Sequence, residues 1–228
     1  MQKVEIYVKS NTESPDLPFA TVGNAVWSDK NFDGTTFRNG DSIPEYVGSD
    51  AGWDALTTPA WCYVDNDSAN GDVYGKLYNF YAVSDPRGIA PKGWRVSTLD
   101  DWNSLVSFAS ESIAALKTKS ASLWDTAGDD SYGLAILPSA YRGPGGGFGN
   151  LDGTNGSYWT STSHDSSDAN AVSYDEGYDD IFFTTFSNSE GGAIRLVRNE
   201  GHTKLDLYDD EVIELTENIK DFKDISKV

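Results

Sequence analysis

All seven tryptophans of this chain lie between residues 27 and 159, and no long run of Leu, Ile or Val accompanies them. Rings must therefore supply the volume that aliphatic side chains supply elsewhere. That predicts a loop-rich fold of small elements around an aromatic core. At 228 residues the chain has the length of one ordinary domain with an appendage, enough to bury such a core.

The stretch "APKGWRVSTLDDW" shows how two of those rings are placed. Pro91-Lys92-Gly93 is turn chemistry, because proline presets φ and glycine accepts φ > 0 without steric cost. Trp94 and Val96 alternate with polar neighbours, as in a short half-buried strand. Thr98 reads as an N-cap whose hydroxyl accepts from the Asp101 N–H. Asp100 and Asp101 fall in the first turn, where the helix dipole favours negative charge. Trp102, Leu105, Val106 and Ala109 then form one apolar helical face. Both indoles point into a core.

Charge excludes two classes of partner. Seventeen Lys and Arg stand against 36 Asp and Glu, a net charge of −19. Nucleic acid and anionic membrane surfaces both attract basic side chains and repel such a chain. No segment approaches the roughly 20 apolar residues of a membrane helix, so no direct membrane insertion is expected. The single cysteine, Cys62, precludes an intrachain disulfide framework or a cysteine metal site. The opening "MQKVEIYVKS" lacks the charged-then-apolar plan of a signal peptide. The expectation is a protein that leaves the cell as part of a particle.

Along the chain, Val4, Ile6 and Val8 alternate as an initial strand, and "NTESPDLPF" ends it. From residue 24 to 198 the texture is uniform, with helices predicted at 99–110 and 112–119. "RGPGGGFGNLDGTNG" lacks the Lys-Ser/Thr ending of a phosphate cradle and reads as a plain loop. "DNDSANGD" clusters oxygen ligands, but Asn70 comes one place late for an EF-hand. It reads as an Asx-turn loop. Beyond residue 199, Leu205 and Leu207 alternate like a strand, and Ile219, Phe222 and Ile225 recur at helical spacing. The organisation is an N-terminal strand and linker (1–23), a domain (24–199) and an acidic tail for docking or attachment (200–228).

Six ordered blocks carry a resemblance: "NAVWSDKNFDGTTFRNGDSIPE", "AWCYVDNDSANGDVYGKLYNFYAV", "GIAPKGWRVSTLDDWNSL", "ILPSAYRGPGGGF", "SYWTSTS" and "GGAIRLVR". In this order they resemble the Fibrobacter succinogenes major paralogous domain family, which is defined by sequence and largely lacks assigned activities. More distantly, "WRVSTLDDW" and "GGAIRLVR" resemble the helix start and closing strand of the C-type lectin-like fold. The branch concerned holds the formylglycine-generating enzymes and the diversity-generating retroelement proteins. The resemblance implies an α+β fold of C-type lectin-like type, with two short helices and small antiparallel sheets. Trp94, Trp102, Trp159 and Arg195 would be its frame, and residues 164–183 an exposed ridge before the closing strand.

That ridge, "HDSSDANAVSYDEGYDDIFF", supplies the candidate ligand-binding residues: His164, Asp165, Asp168, Asn170, Tyr174, Asp175, Glu176, Tyr178, Asp179 and Asp180. Aromatic faces stack on sugar C–H surfaces while carboxylates and amides bind hydroxyls, so the mixture suits a glycan or a protein epitope. The competing reading is a solvated acidic loop with Tyr174 and Tyr178 packed inward.

Catalysis has little to work with. Formylglycine-generating enzymes use a reactive cysteine pair, whereas Cys62 stands alone in a Trp-Cys-Tyr context that reads as a buried, inert thiol. A serine triad would need His164 or His202, and neither lies near a nucleophile elbow. No carboxylate pair is singled out by spacing as a glycosidase dyad. Arg195 reads as a buried guanidinium paired with a carboxylate, and Arg142 stays open between frame and ligand contact. No metal or cofactor is expected.

The expected function is non-enzymatic: a ligand- or receptor-binding module displaying a lectin-like surface to a host glycan or protein. The tail "LDLYDDEVIELTENIKDFKDIS" resembles segments in structural proteins of tailed phages of Bacteroidetes. That similarity implies a virion component, in the tail or decorating the capsid, with other virion proteins or further copies of itself as partners. The alternatives are a bacterial cell-surface adhesin, a purely structural virion protein and a degenerate enzyme of the formylglycine-generating branch.

Overall fold

The structure is a computed structural model that describes residues 17–109, 114–120, 122–124, 126–149, 154–175 and 180–198, with 175 and 180 described by backbone alone. Strands β1 (Phe19–Val22) and β2 (Ala25–Ser28) form a hairpin with Val22 opposite Ala25. The two-residue turn needs a positive φ at its first position, and Gly23 supplies it at +60°. Three short helical turns follow among brief strands: α1 (Asp50–Asp54), β3 (Trp61–Cys62), α2 (Gly71–Tyr74), β4 (Leu77–Asn79) and α3 (Phe80–Val83).

The stretch around Trp94 folds much as its chemistry dictates, giving β5 (Trp94–Val96) and then α4 (Leu99–Phe108), the longest described helix. Thr98 Oγ1 accepts from the Asp101 N–H at 3.1 Å, and the Asp101 carboxylate accepts from the Thr98 N–H at 2.6 Å. This reciprocal box satisfies two of the helix's orphan donors. Arg95 completes it with a bidentate grip on Asp101, one arm at 2.9 Å. Burial alone would raise the Asp101 pKa, but the bonds from Arg95 and Thr98 outweigh it and hold the carboxyl below its usual range.

The remaining strands are β6 (Tyr141–Arg142), β7 (Phe148–Gly149), β8 (Asn155–Ser163), β9 (Asp168–Asp175), β10 (Asp180–Ser187), β11 (Gly191–Ile194) and β12 (Leu196–Arg198). One sheet is antiparallel, in the order β1-β2-β12-β5. The other runs β10-β9-β8-β11-β4-β3, with β6 and β7 branching from β11 and a parallel pairing of β11 with β8. Only Arg195 separates β11 from β12, so "GGAIRLVR" stitches the two sheets together.

Side chains alternate across a strand, and here both faces are buried. Tyr158, Val172, Tyr174, Ala193 and Val197 enter one core with Trp27, Trp53, Trp102 and Trp124. Trp159, Ala169, Ala171, Ile194 and Leu196 enter the other with Trp61, Tyr78, Phe80 and Trp94. Trp102 links its neighbours as an aromatic chain, with its ring 5.1 Å from Trp27 and 5.4 Å from Tyr158. Each such pair contributes about 0.5–1.5 kcal/mol beyond area burial. The frame residues Trp94, Trp102, Trp159 and Arg195 are all fully buried.

Several expectations are corrected here. The described residues of the predicted 112–119 helix are not helical: a turn at 114–116 leads to Lys117, which bridges to Ile136 in parallel. The Thr118 N–H donates to Ile136 O, and the Ile136 N–H donates to Leu116 O. Backbone bonds to a distant segment have won over the local helical pattern. The sheets are also larger than expected and not purely antiparallel. Strand β1 pairs with β2 within the smaller sheet. The initial strand around Val4–Val8 and the tail at 200–228 lie outside the described residues.

Candidate functional site

The ridge is a hairpin rather than an irregular loop. Strands β9 and β10 pair without interruption from Asp168↔Ser187 to Asp175↔Asp180. Tyr174 anchors it from inside: it is 3% exposed, and its ring meets Trp124 edge-on at 4.9 Å. Lys117 Nζ lies 4.7 Å from the Trp124 ring centre and 5.4 Å from that of Tyr174. Tyr174 therefore has no face to offer a ligand. On the opposite face Trp159 donates its indole N–H to Tyr78 O at 2.7 Å.

Four of the sequence-predicted residues do converge, at the end of the hairpin nearest β8. His164 and Asp165 are exposed, and Asp168 and Asn170 are half-buried. Asp165 Oδ1 accepts from the Ser167 N–H at 2.7 Å, the Asp168 N–H at 2.9 Å and the Ser167 hydroxyl at 2.9 Å. Those backbone donors hold the Asp165 carboxyl below its usual pKa. The Asn170 amide donates to Thr162 O and Ser163 O, both at 3.1 Å. Asn170 thus closes the loop by joining β9 to the irregular end of β8, where the register shifts between Trp159 and Ser163.

Asp175 and Asp180 stand opposite each other at the far end of the hairpin. At a rise of roughly 3.4 Å per residue, the seven steps from Asp168 to Asp175 separate the two ends by about 24 Å. One small ligand does not reach both. Glu176, Tyr178 and Asp179 lie outside the described residues. What sequence reasoning passed over is Phe183, 41% exposed, and Phe182, 38% exposed. Two adjacent phenylalanines in a strand point to opposite faces, and on an edge strand neither is fully covered. Phe186 stacks on Tyr141 with ring centres 6.1 Å apart and an angle of 19°.

Other candidates resolve into structure. Arg195 finds carbonyls rather than the expected carboxylate: Ser28 O at 2.9 Å, Leu134 O at 2.8 Å, Ala135 O at 2.6 Å and Asn31 Oδ1 at 2.8 Å. Burial lowers its pKa, opposed by Tyr158 and more distantly by Asp29 and Asp130. An arginine so placed remains charged. Arg142 is also fully buried, lying over Trp53 and Phe148, each at 4.7 Å, and donating through Nε to Gly146 O at 2.6 Å. It belongs to the frame.

The glycine-rich segment is the turn of the β6–β7 hairpin, seated on α1. The Gly145 N–H donates to Asp54 Oδ1 at 3.1 Å, so it is already committed within the protein. In "DNDSANGD", Asp67 Oδ1 accepts from the Ala69 N–H at 2.9 Å, an Asx-turn. Among the described residues no group of three or more His, Cys, Asp and Glu is placed to hold a metal. Cys62 is fully buried, and burial raises its thiol to about 11 despite the opposing bond from Arg142. No described helix is long and apolar enough to cross a membrane.

These features define a mixed helix-and-sheet domain, mostly strand, with arginines and tryptophans buried in its interior and the β9–β10 hairpin built into its larger sheet. The sequence model of the Fibrobacter succinogenes major domain matches residues 20–198, and the chain belongs to that family. No curated protein and no solved structure matches the chain.

Proposed function

We propose that this chain is a non-enzymatic recognition domain of C-type lectin-like fold, carried on a phage virion and presenting the 164–168 turn, which leads into its β9–β10 hairpin, to a host-surface glycan or protein. The observation that carries this reading is the contrast between β9 and the turn that leads into it from β8. Tyr174 is locked against Trp124 while the 164–168 turn stands exposed on an internal hydrogen-bond lattice. A recognition surface held rigid before contact loses little entropy on binding. In this reading His164, Asp165 and Asp168 contact the ligand, and Asn170 positions the turn.

The placement of the closing strand supports the lectin-like fold, because β11 and β12 bring "GGAIRLVR" into both sheets as frame. The burial of Cys62, with its thiol raised to about 11, weighs against thiol chemistry. The virion setting rests on the resemblance of the tail. Immunogold labelling of a producing culture tests it. Gold on tails or capsids is the expected result, and gold confined to the cell envelope overturns the virion assignment in favour of a bacterial adhesin.

A further inference from the structure

The chain contains three Asn-Gly pairs, at 39–40, 70–71 and 155–156. In such a pair the glycine nitrogen is able to attack the carboxamide carbon of the asparagine, because no Cβ hinders its approach. The N–Cγ bond forms and the Cγ–Nδ2 bond breaks. The leaving nitrogen takes up the proton shed by the glycine nitrogen and departs as ammonia. Water then opens the cyclic imide at either carbonyl, giving aspartate or isoaspartate.

The fold treats the three pairs differently. Asn155 and Gly156 lie in β8, in register with Asp175 and Tyr174 of β9. Gly156 is buried, with Leu137 O 2.9 Å from where a Cβ would stand. Asn70 donates its amide to Val64 O at 2.9 Å and caps α2, whose first residue is Gly71. Ring closure at either pair requires a strand or a helix end to open first. Asn39 and Gly40 are both exposed, in a tight loop closed by the Thr36–Ser42 bridge. Gly40 has a φ of +92°, and an added Cβ would meet nothing within 4 Å. The Asp41 N–H donates to Asn39 Oδ1 at 3.0 Å, so a donor already faces the oxygen that gains negative charge as the nitrogen adds. The Gly40 N–H donates to Phe37 O at 2.9 Å, which opposes attack. That is a single turn bond at an exposed residue, and local opening frees it.

We propose that Asn39 is a self-modification site, which the folded chain converts to isoaspartate or aspartate while Asn70 and Asn155 stay intact, and that this irreversible step loosens the 36–42 loop as the protein ages. The loosening follows from what the amide holds. Asn39 Nδ2 donates to Asp41 Oδ2 at 3.0 Å, and Arg87 Nη1 donates to the same oxygen at 3.0 Å. The asparagine donor departs with the ammonia, and the new carboxylate faces Asp41 with a like charge. Arg87 does not neutralise both, because its Nε and Nη2 also hold Asp85, each at 2.9 Å. Isoaspartate further lengthens the backbone path between Thr36 and Ser42. The modification needs only water and this loop, so it holds whatever the chain recognises.

The test incubates the full chain at mildly alkaline pH, folded and in urea, and follows each Asn-Gly pair by peptide mapping and mass spectrometry. Isoaspartyl methyltransferase labelling identifies the isoaspartate product. In urea the three pairs convert at comparable rates. In the folded chain Asn39 is expected to convert faster than Asn70 and Asn155 by about tenfold or more. Amide hydrogen exchange at Gly40 and Asp41 is expected to rise in the converted chain. Asn39 that keeps its amide in the folded chain while losing it in urea overturns the proposal, as does folded-state conversion of Asn70 or Asn155 at the rate of Asn39. Unchanged exchange at Gly40 and Asp41 after full conversion overturns the loosening.

Discussion

Replacing Arg195 by Lys keeps a positive charge in the core and removes the planar fork. The guanidinium now serves four acceptors between 2.6 and 2.9 Å, on Ser28, Asn31, Leu134 and Ala135. A lysine ammonium has three donors at a single point, and acceptors spread around a fork do not converge on one. Two are left without a donor. Each buried orphan costs about 1–3 kcal/mol, so the change costs about 2–6 kcal/mol. That is a large part of the roughly 5–15 kcal/mol that holds a domain folded. For a domain of this size each kcal/mol shifts the midpoint by about 2–4 °C, which gives a fall of about 4–24 °C. The control is Arg95→Lys, a third-exposed ion pair with Asp101, for which about 1 kcal/mol or less is expected. Differential scanning calorimetry of the two variants decides the matter. If Arg195→Lys melts within about 2 °C of wild type, or no lower than Arg95→Lys, the carbonyl cage is not what joins the sheets.

Other outcomes follow from the same geometry. Gly145→Ala meets only its positive φ of +77° and costs about 1 kcal/mol. Gly146→Ala also drives its Cβ to 1.9 Å from Asp50 O and costs about 3 kcal/mol or more, a contrast that urea titration resolves. Thr98→Ala removes the helix cap and costs about 1 kcal/mol by the same titration. The Cys62 thiol, raised to about 11, reacts with a disulfide reagent at pH 8 only at the unfolding rate; immediate labelling of the folded chain would contradict its burial. Acid weakens the fold through Asp101, whose folded carboxyl titrates below its unfolded value. The unfolded chain takes that proton first, so the Asp101 contribution is intact above about pH 4 and lost as pH falls further. Glu190 runs the other way. Burial raises its pKa, so its charge costs stability at neutral pH. Glu190→Gln raises the melting temperature at pH 7 and leaves it unchanged at pH 3.

The parts of this fold that local chemistry determines were legible in the sequence. The Pro-Lys-Gly turn, the Trp94 strand and the Thr98 cap are each settled within a few residues, and the structure has all three. The tryptophan core was legible too, because a chain with so few aliphatic runs must bury its rings to fill an interior. Distant pairing decided the rest. Lys117 joins Ile136 in a bridge that no local pattern signals, which is why 112–119 reads as a helix. Asp168, Ala169, Asn170 and Ala171 have weak strand propensity, so β9 reads as loop until β8 and β10 flank it. Tyr174 falls between a ligand contact and inward packing in the sequence, because inward and outward tyrosines look alike there, and the structure packs it inward. The acidic composition points to a carboxylate for Arg195, but carbonyls from two separate segments, 28–31 and 134–135, occupy the guanidinium instead.

The most direct test of the recognition account is binding of the purified chain to whole cells of the host bacterium. Wild type is compared with a double variant of the exposed turn, His164→Ala with Ser166→Lys, and with Thr98→Ala as a destabilised frame control. The account predicts saturable binding by wild type, retained by Thr98→Ala below its melting temperature. It predicts weakening by about tenfold or more in the turn variant, at an unchanged melting temperature. Equal binding by the turn variant, or no saturable binding by wild type, would contradict it.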